Sequence, residues 1–429
     1  MSPGARHGAR PLRRLVLVCL AGLVLCPLAG CGTWPRRWGA RPCCIAAKPA
    51  VRRTPIAWHL FDVTVEEPIE RLFEVTRNGR RLFGAPVRAL NLRDGAVGES
   101  AFFTGRDPAA LSPEEVRAGP TRPDDQPQAP FTVTKAKAEG KTAGFFVTDA
   151  RGVRYLFKLD PPDAPELLSG AEVVTSKLLH ALGYRVPSYE AAFVRPDDLR
   201  LSGGPVGEEA LRALVEPRLR EGTLRVSASR ILDGEILGPA SFKRFRDCAE
   251  MRALKLAYAW VNNIDAKDHN TLLVWDGANT LGYLIDFGTS LGADAGAGGP
   301  KDPCAGWVHR VDLKEGFLRL VTLGWHRPPC DVPSPPDSPP IGFFSSRVDP
   351  RAWKPYVPNL AFNEMNQQDA RWMARRMSRF SRAQLEAAVS AGRYRDPADA
   401  ARLVETLESR RQAIILPYME DDDEEEGRR

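Results

Sequence analysis

Between residues 131 and 160, FTVTKAK, AGFFVTD and RYLFKLD are short segments rich in β-branched and aromatic residues, separated by turn residues. That pattern predicts three consecutive strands, with turns at 138–140 and 149–152. The pattern then changes. In GAEVVTSKLLHALGY the apolar positions Val173, Val174, Leu178, Leu179 and Leu182 recur at helical spacing. YRVPSYEAAFVRPDDLRL predicts two short strands, and SGGPVGEEALRALVEPRLREG a loop and a charged amphipathic helix that reads as an insertion. ASFKRFRDCAEMRALKLAYAWVNNI predicts a long buried helix that feeds a polar turn, DAKDHN, followed by the apolar strands TLLVW and YLI. Helices predominate after residue 363, one of them capped by Ser381.

The earlier segment, 56–130, carries short alternations in WHLFDVTV and RLFEVTRNGRRLFG. With Arg77-Asn78-Gly79-Arg80 as a hairpin turn, it reads as a β-rich extension packed on the lobe that follows. LSPEEVRAGP begins with a serine cap and a proline at the first helical position. The fold class expected is α+β, with a strand-rich lobe over 131–200 and a mainly helical lobe over 201–419. An acidic tail at 420–429 is expected to be a solvated, disordered end.

Composition fits a large globular chain of 429 residues, 43% hydrophobic and 27% charged. The N-terminus is different. Arg6, Arg10, Arg13 and Arg14 precede LVLVCLAGLVLCPLAG, which ends at Cys31. A basic stretch, a short apolar run and small residues describe an export signal over 1–30, followed by a tether over 31–55. Leu28-Ala29-Gly30-Cys31 resembles a bacterial lipobox, which implies lipidation of Cys31 and attachment to the membrane of the cell envelope. Gly32 stands where an aspartate would favour inner-membrane retention, which points to the outer membrane. Without residues 1–30 the chain has 56 basic and 54 acidic side chains. So near-neutral a balance gives no case for a nucleic-acid partner. An exported location permits a disulfide between Cys304 and Cys330.

Candidate chemistry concentrates in the polar turn and the strand end after it. Asp265, Lys267 and Asn270 are spaced D-x-K-x-x-N, and Asp286-Phe287-Gly288 follows the second strand. Carboxylate and amide oxygens suit a hard cation such as Mg²⁺, and a further carboxylate can orient a hydroxyl or accept its proton. Earlier in the chain, alternation puts Tyr155, Phe157 and Leu159 on one strand face and Lys158 on the other. A lysine on an inner face needs an anionic partner, and Glu172 on the following helix is the candidate. Gly140, Thr142 and Gly144 lie between the first two strands, where small residues let backbone N–H groups approach phosphate oxygens.

In these motifs the chain resembles the protein-kinase-like superfamily, closer to its atypical HipA-like and lipid-kinase-like members than to eukaryotic protein kinases. The DAK..N…LIDFG run is similar to that of a group of exported deltaproteobacterial proteins. The resemblance implies a two-lobed fold that uses ATP and Mg²⁺. Lys158 would hold the nucleotide phosphates, oriented by Glu172, under a cover formed by Gly140, Thr142 and Gly144. Asp265 would be the catalytic base and Lys267 would steady the transferred group, with Asn270 and Asp286 as metal ligands. Two departures stand out. Asn263-Ile264 replaces the usual His-Arg before the catalytic aspartate, and no A-P-E triplet follows the glycine-rich TSLGADAGAGG. Phosphate transfer to an unknown acceptor, AMP transfer, and a catalytically inactive envelope scaffold are the three functions open at this point.

Overall fold

The structure is a computed structural model that describes residues 48–137, 142–203, 207–310, 313–326, 330 and 338–426. Cys31, Gly140 and the proline-rich run 331–337 lie outside the described residues. The fold is α+β in two lobes, as expected.

The strand-rich lobe is one sheet in the order β6-β9-β5-β4-β3-β7. Its strands are β3 (Phe131–Ala136), β4 (Gly144–Thr148), β5 (Arg154–Leu159), β6 (Tyr189–Val194), β7 (Leu199–Leu201) and β9 (Thr223–Arg230), after the small hairpin β1 (Leu92–Arg93) and β2 (Ala96–Val97). A short β8 (Leu219–Arg220) pairs with β9. All neighbours are antiparallel except β3 and β7. Phe131, Val133, Phe145, Val147, Tyr155 and Phe157 fill its outer face.

Two boundaries differ from the sequence expectation. The lobe continues past residue 200, because β9 lies in the middle of the sheet between β6 and β5. Helix Glu208–Val215 is not an insertion: Leu211 and Val215 are buried against the outer apolar face. TLRVSASR has few large apolar residues, so its pattern is weak, although both its faces are covered.

Helix Leu167–Ala181 crosses the inner face of the sheet and is buried along nearly its whole length. The second lobe is built around helix Ala249–Trp260. Helices Leu360–Asn363, Gln367–Ser378, Arg382–Ala391 and Pro397–Glu426 surround it, and a three-stranded sheet, β10 (Glu235–Gly238), β11 (Thr271–Trp275) and β12 (Thr280–Leu284), completes it. Ser381 caps its helix with Gln384 in a reciprocal box, and Ser112 does the same with Glu115. The last helix continues through the acidic run to Glu426 rather than stopping before it. The Cys304–Cys330 disulfide is present. Among the described residues no helix is long and apolar enough to cross a membrane.

Segment 56–130 corrects the β-rich expectation. Helix Ile56–Phe61 runs through a π-helical turn, Asp62–Glu66, into helix Glu67–Phe73, and Val75–Leu82 forms a further helix. Arg77 to Arg80 lie inside that last helix, not in a hairpin turn. Short alternations are compatible with either period, and here no neighbouring strand pairs with them. The segment also packs chiefly on the helical lobe, where Phe102 and Phe103 are fully buried against Phe245, Tyr184 and Trp372.

One buried group in this segment titrates unusually. Burial, with Asp62 and Asp268 nearby, pushes Glu67 up to about 8 from a reference of 4.5. Folding therefore takes up a proton between those values, and the stability contributed by protonated Glu67 is complete below the lower one. It is lost as pH rises through the upper one. Glu67→Gln cannot ionise, so its melting temperature should fall less than the parent's between pH about 5 and about 9. Parallel melting curves across that range would contradict the assignment.

Candidate active site

The site forms where β5, helix Leu167–Ala181, the 261–270 turn and the end of β12 converge. Lys158 sits on the inner face of β5, opposite Phe157 and Leu159, and is almost fully buried. Its ammonium donates to Glu172 and, at 2.9 Å, to Asp286 Oδ1. Glu172 Oε2 accepts a second hydrogen bond from Ser227 Oγ at 2.6 Å, on the neighbouring strand β9. Burial works against charge on Lys158, yet Asp286 and Glu172 outweigh it and hold the ammonium protonated far above its usual range. Burial pushes Glu172 up, Asp286 adds to that, and Lys158 opposes both. Partial loss of solvent pushes Asp286 up, but the Lys158 ammonium facing it outweighs that and holds it depressed.

Glu172 does not open its helix, as the sequence pattern suggested. The helix begins at Leu167, so Glu172 lies in its second turn and owes nothing to the terminal dipole. What fixes the helix is Asp160, two residues after Lys158. Its Oδ1 accepts from the N–H groups of Leu168 and Ser169 at 2.9 and 2.8 Å, and its Oδ2 from Ser169 Oγ at 2.7 Å. The strand that carries the lysine therefore also caps the helix that carries its partner.

The polar turn is held from several sides. Helix Ala249–Trp260 ends with Arg410 donating to the Trp260 carbonyl at 2.9 Å and to that of Ala259. Asn262 then adopts φ 48°, and Lys301 Nζ ties the Asn262, Thr289 and Leu291 carbonyls together at 2.6, 2.9 and 2.8 Å. Asn359 reaches the Ala266 carbonyl at 3.0 Å. Within the turn, Lys267 Nζ pairs with Asp265 Oδ2 at 2.5 Å, and Asn270 Nδ2 donates to the Asp265 carbonyl at 2.7 Å. A bond from the Ile285 N–H to the Asn270 carbonyl, 3.0 Å, sets Asn270 beside the residue before Asp286.

Asp286 has φ 62°, the left-handed region that non-glycine residues rarely occupy. Its N–H donates to Tyr189 OH at 3.2 Å, and Tyr189 packs against Phe287 with ring centroids 5.6 Å apart. Its side chain is 40% exposed, so the carboxylate meets solvent on one side and Lys158 on the other. A Cβ on Gly288 would stand 3.0 Å from Ala295 Cβ and 3.5 Å from Glu172 Oε1, which explains the small residue there.

The sequence-predicted residues thus separate into three sets. Lys158, Glu172 and Asp286 are in direct contact, and Asp265, Lys267 and Asn270 form one hydrogen-bonded turn joined to Asp286 through Ile285. The glycine cover is placed only in part. Thr142 offers its carbonyl to Lys137 Nζ at 3.1 Å. Gly144 lies in β4 opposite Lys158, where a Cβ would meet the Phe157 carbonyl at 2.5 Å, so its smallness serves strand pairing.

Sequence reasoning missed Ser227, Tyr189, Asp160 and Lys301. Each is a common residue in an unremarkable local pattern, and its role comes from a distant partner. Asp160 alone carried a signal, as an acid just ahead of a helix.

The donor chemistry fits a hard cation shared with phosphate. Asp286 and Asn270 offer oxygens, and Lys158 pairs with Asp286 at 2.9 Å. Among the described residues no group of three His, Cys, Asp or Glu side chains forms a protein-only metal cluster.

Among solved structures, the chain is similar to the Helicobacter pylori proinflammatory kinase CtkA. Identity is 11% and the TM-score 0.36, over 68% of this chain and 99% of that one. It is also similar to the golgi casein kinase, at 10% identity and a TM-score of 0.27, over 88% of this chain and 97% of that one. No protein-family model and no curated protein matches the chain.

Removing one partner of the buried pair leaves the other uncompensated. Lys158→Met should cost about 3–5 kcal/mol in urea unfolding, and Glu172→Leu in the same background should recover part of that loss. Additive losses in the double variant would show that the two side chains are not coupled.

Proposed function

We propose that this chain is an ATP- and Mg²⁺-dependent phosphotransferase, tethered to the cell envelope through lipid on Cys31. The observation that carries the reading is Lys158, held between the buried Glu172 and the half-open Asp286. The structural Lys301 meets only backbone carbonyls, whereas Lys158 meets two carboxylates. Lys158 is fixed by Glu172 from within and directed toward a second carboxylate at the solvent edge.

In this reading Lys158 binds the nucleotide phosphates and Glu172, with Ser227 behind it, keeps the ammonium aimed. Asp286 and Asn270 hold Mg²⁺, which when bound neutralises phosphate charge. Asp265 accepts the proton of the acceptor hydroxyl. Lys267, now on Asp265 Oδ2, is placed to steady the transferred group. In this reading Gly140 and Thr142 contribute to the cover over the phosphates. The outer membrane is the proposed site of attachment, on the strength of Gly32 after Cys31.

The test is the mass of products formed from ATP and Mg²⁺, with the chain itself and envelope extracts as acceptors. A phosphate gain that falls by about 10²–10⁴-fold in Asp265→Asn is the expected outcome. An AMP gain would reassign the site to nucleotide transfer. Bound nucleotide with no product under any divalent ion would leave an inactive scaffold.

A further inference from the structure

The continuous helix Ile56–Phe73 is amphipathic the wrong way round. Its inward residues, four apart, are His59, Val63 and Glu67, all buried. Two residues on from each, and so on the opposite face, stand Phe61, Val65 and Ile69, all exposed. The inner face is polar because it grips the catalytic turn and its neighbours. His59 packs edge-on against His269 at 5.4 Å, and Glu70 pairs with Lys243. Just upstream, Arg52 pairs with Asp268 at 3.1 Å, and the Thr54 carbonyl meets His269 Nε2 at 2.7 Å.

The outer face is apolar without a described partner. Trp58 is 55% exposed and Leu72 74%, and at the end of the next helix Leu82 and Phe83 reach 86% and 88%. So large a run of exposed apolar side chains along one element marks a surface that is covered in use.

What covers it follows from the chain that leads into it. Residues 31–47, which remain once the signal is cut, contain three arginines and no acid. The lipid on Cys31 proposed above brings a bilayer close to this segment, and the arginines suit anionic headgroups. Arg53 and Arg80, both exposed, extend the positive charge to the two ends of the apolar face. An apolar face carrying Trp58, Phe61 and Phe73, with arginines beside it, is the composition of an interfacial helix.

We propose that the outer face of helix Ile56–Phe73, with Leu82 and Phe83, lies in the headgroup region of an anionic bilayer. Because the inner face of the same helix holds Asp268 and His269, seating it also sets the height of the catalytic turn above the membrane. The docking rests on the lipid tether proposed above but not on phosphate transfer, so it can fail or succeed whether or not the site transfers phosphate.

The test places a photo-crosslinking amino acid at Phe61, Ile69 or Leu72, or at the exposed Glu209 as control, in the full chain. Each protein is reconstituted with phosphatidylglycerol–phosphatidylethanolamine vesicles. Lipid adducts about tenfold more abundant at the three helix positions than at Glu209 are expected. Vesicle-bound protein without that excess overturns the proposal. So do adducts to a second copy, or to residues 15–30 of the same chain, in place of lipid. Ile69→Glu with Leu72→Glu should lower the Phe61 adduct severalfold, while ATP-dependent product formation in detergent stays at the parent level.

Discussion

The arrangement depends on one buried cation. Lys158 is surrounded by apolar strand residues and could not remain charged there alone. Glu172 keeps it charged, Ser227 satisfies the far oxygen of Glu172, and Asp160 anchors the helix that brings Glu172 in. These contacts tie β5, β9 and the inner helix into one rigid unit. The remaining charge of Lys158 is turned toward Asp286, the point at which the strand-rich and helical lobes meet. Charge held in place by packing is what a phosphate site requires, since donors that are already oriented need not reorganise when the ligand arrives.

The second lobe solves a different problem, that of holding a largely buried polar turn in place while Asp265 and Lys267 stay partly exposed. Arg410 and Lys301 satisfy carbonyls that helix and strand termini leave open, and both do so from distant parts of the chain. Burial lowers Arg410 to about 9 and moves Lys301 well below its usual range. Each is retained at that cost because several carbonyls would otherwise be orphaned. Asp286 at φ 62° carries local strain that these contacts sustain.

Much of this was legible in the sequence, and for identifiable reasons. In β5, Tyr155, Phe157 and Leu159 recur at every second position, so the inner position of Lys158 could be read from them. The polar residues of the turn and of the 286–288 triplet stood out because apolar strands flank them. Strand β9 was not legible, since TLRVSASR is small and polar yet lies in the middle of the sheet. Helix Glu208–Val215 looked dispensable because its partner, the outer face of that sheet, is assembled from strands far apart in the chain. The 56–83 helices were misread because their apolar residues face outward. A pattern search assumes that the apolar face is the buried one, and here the buried face is His59, Val63 and Glu67.

The central claim is that Asp286 and Lys158 form one nucleotide–metal site. It is tested most directly by calorimetric titration of ATP, with and without Mg²⁺, into the protein and into Asp286→Ala. Binding that strengthens with Mg²⁺ in the parent and loses that dependence in the variant is the expected result. Equal metal-dependent binding by both proteins would place the cation elsewhere and contradict the assignment.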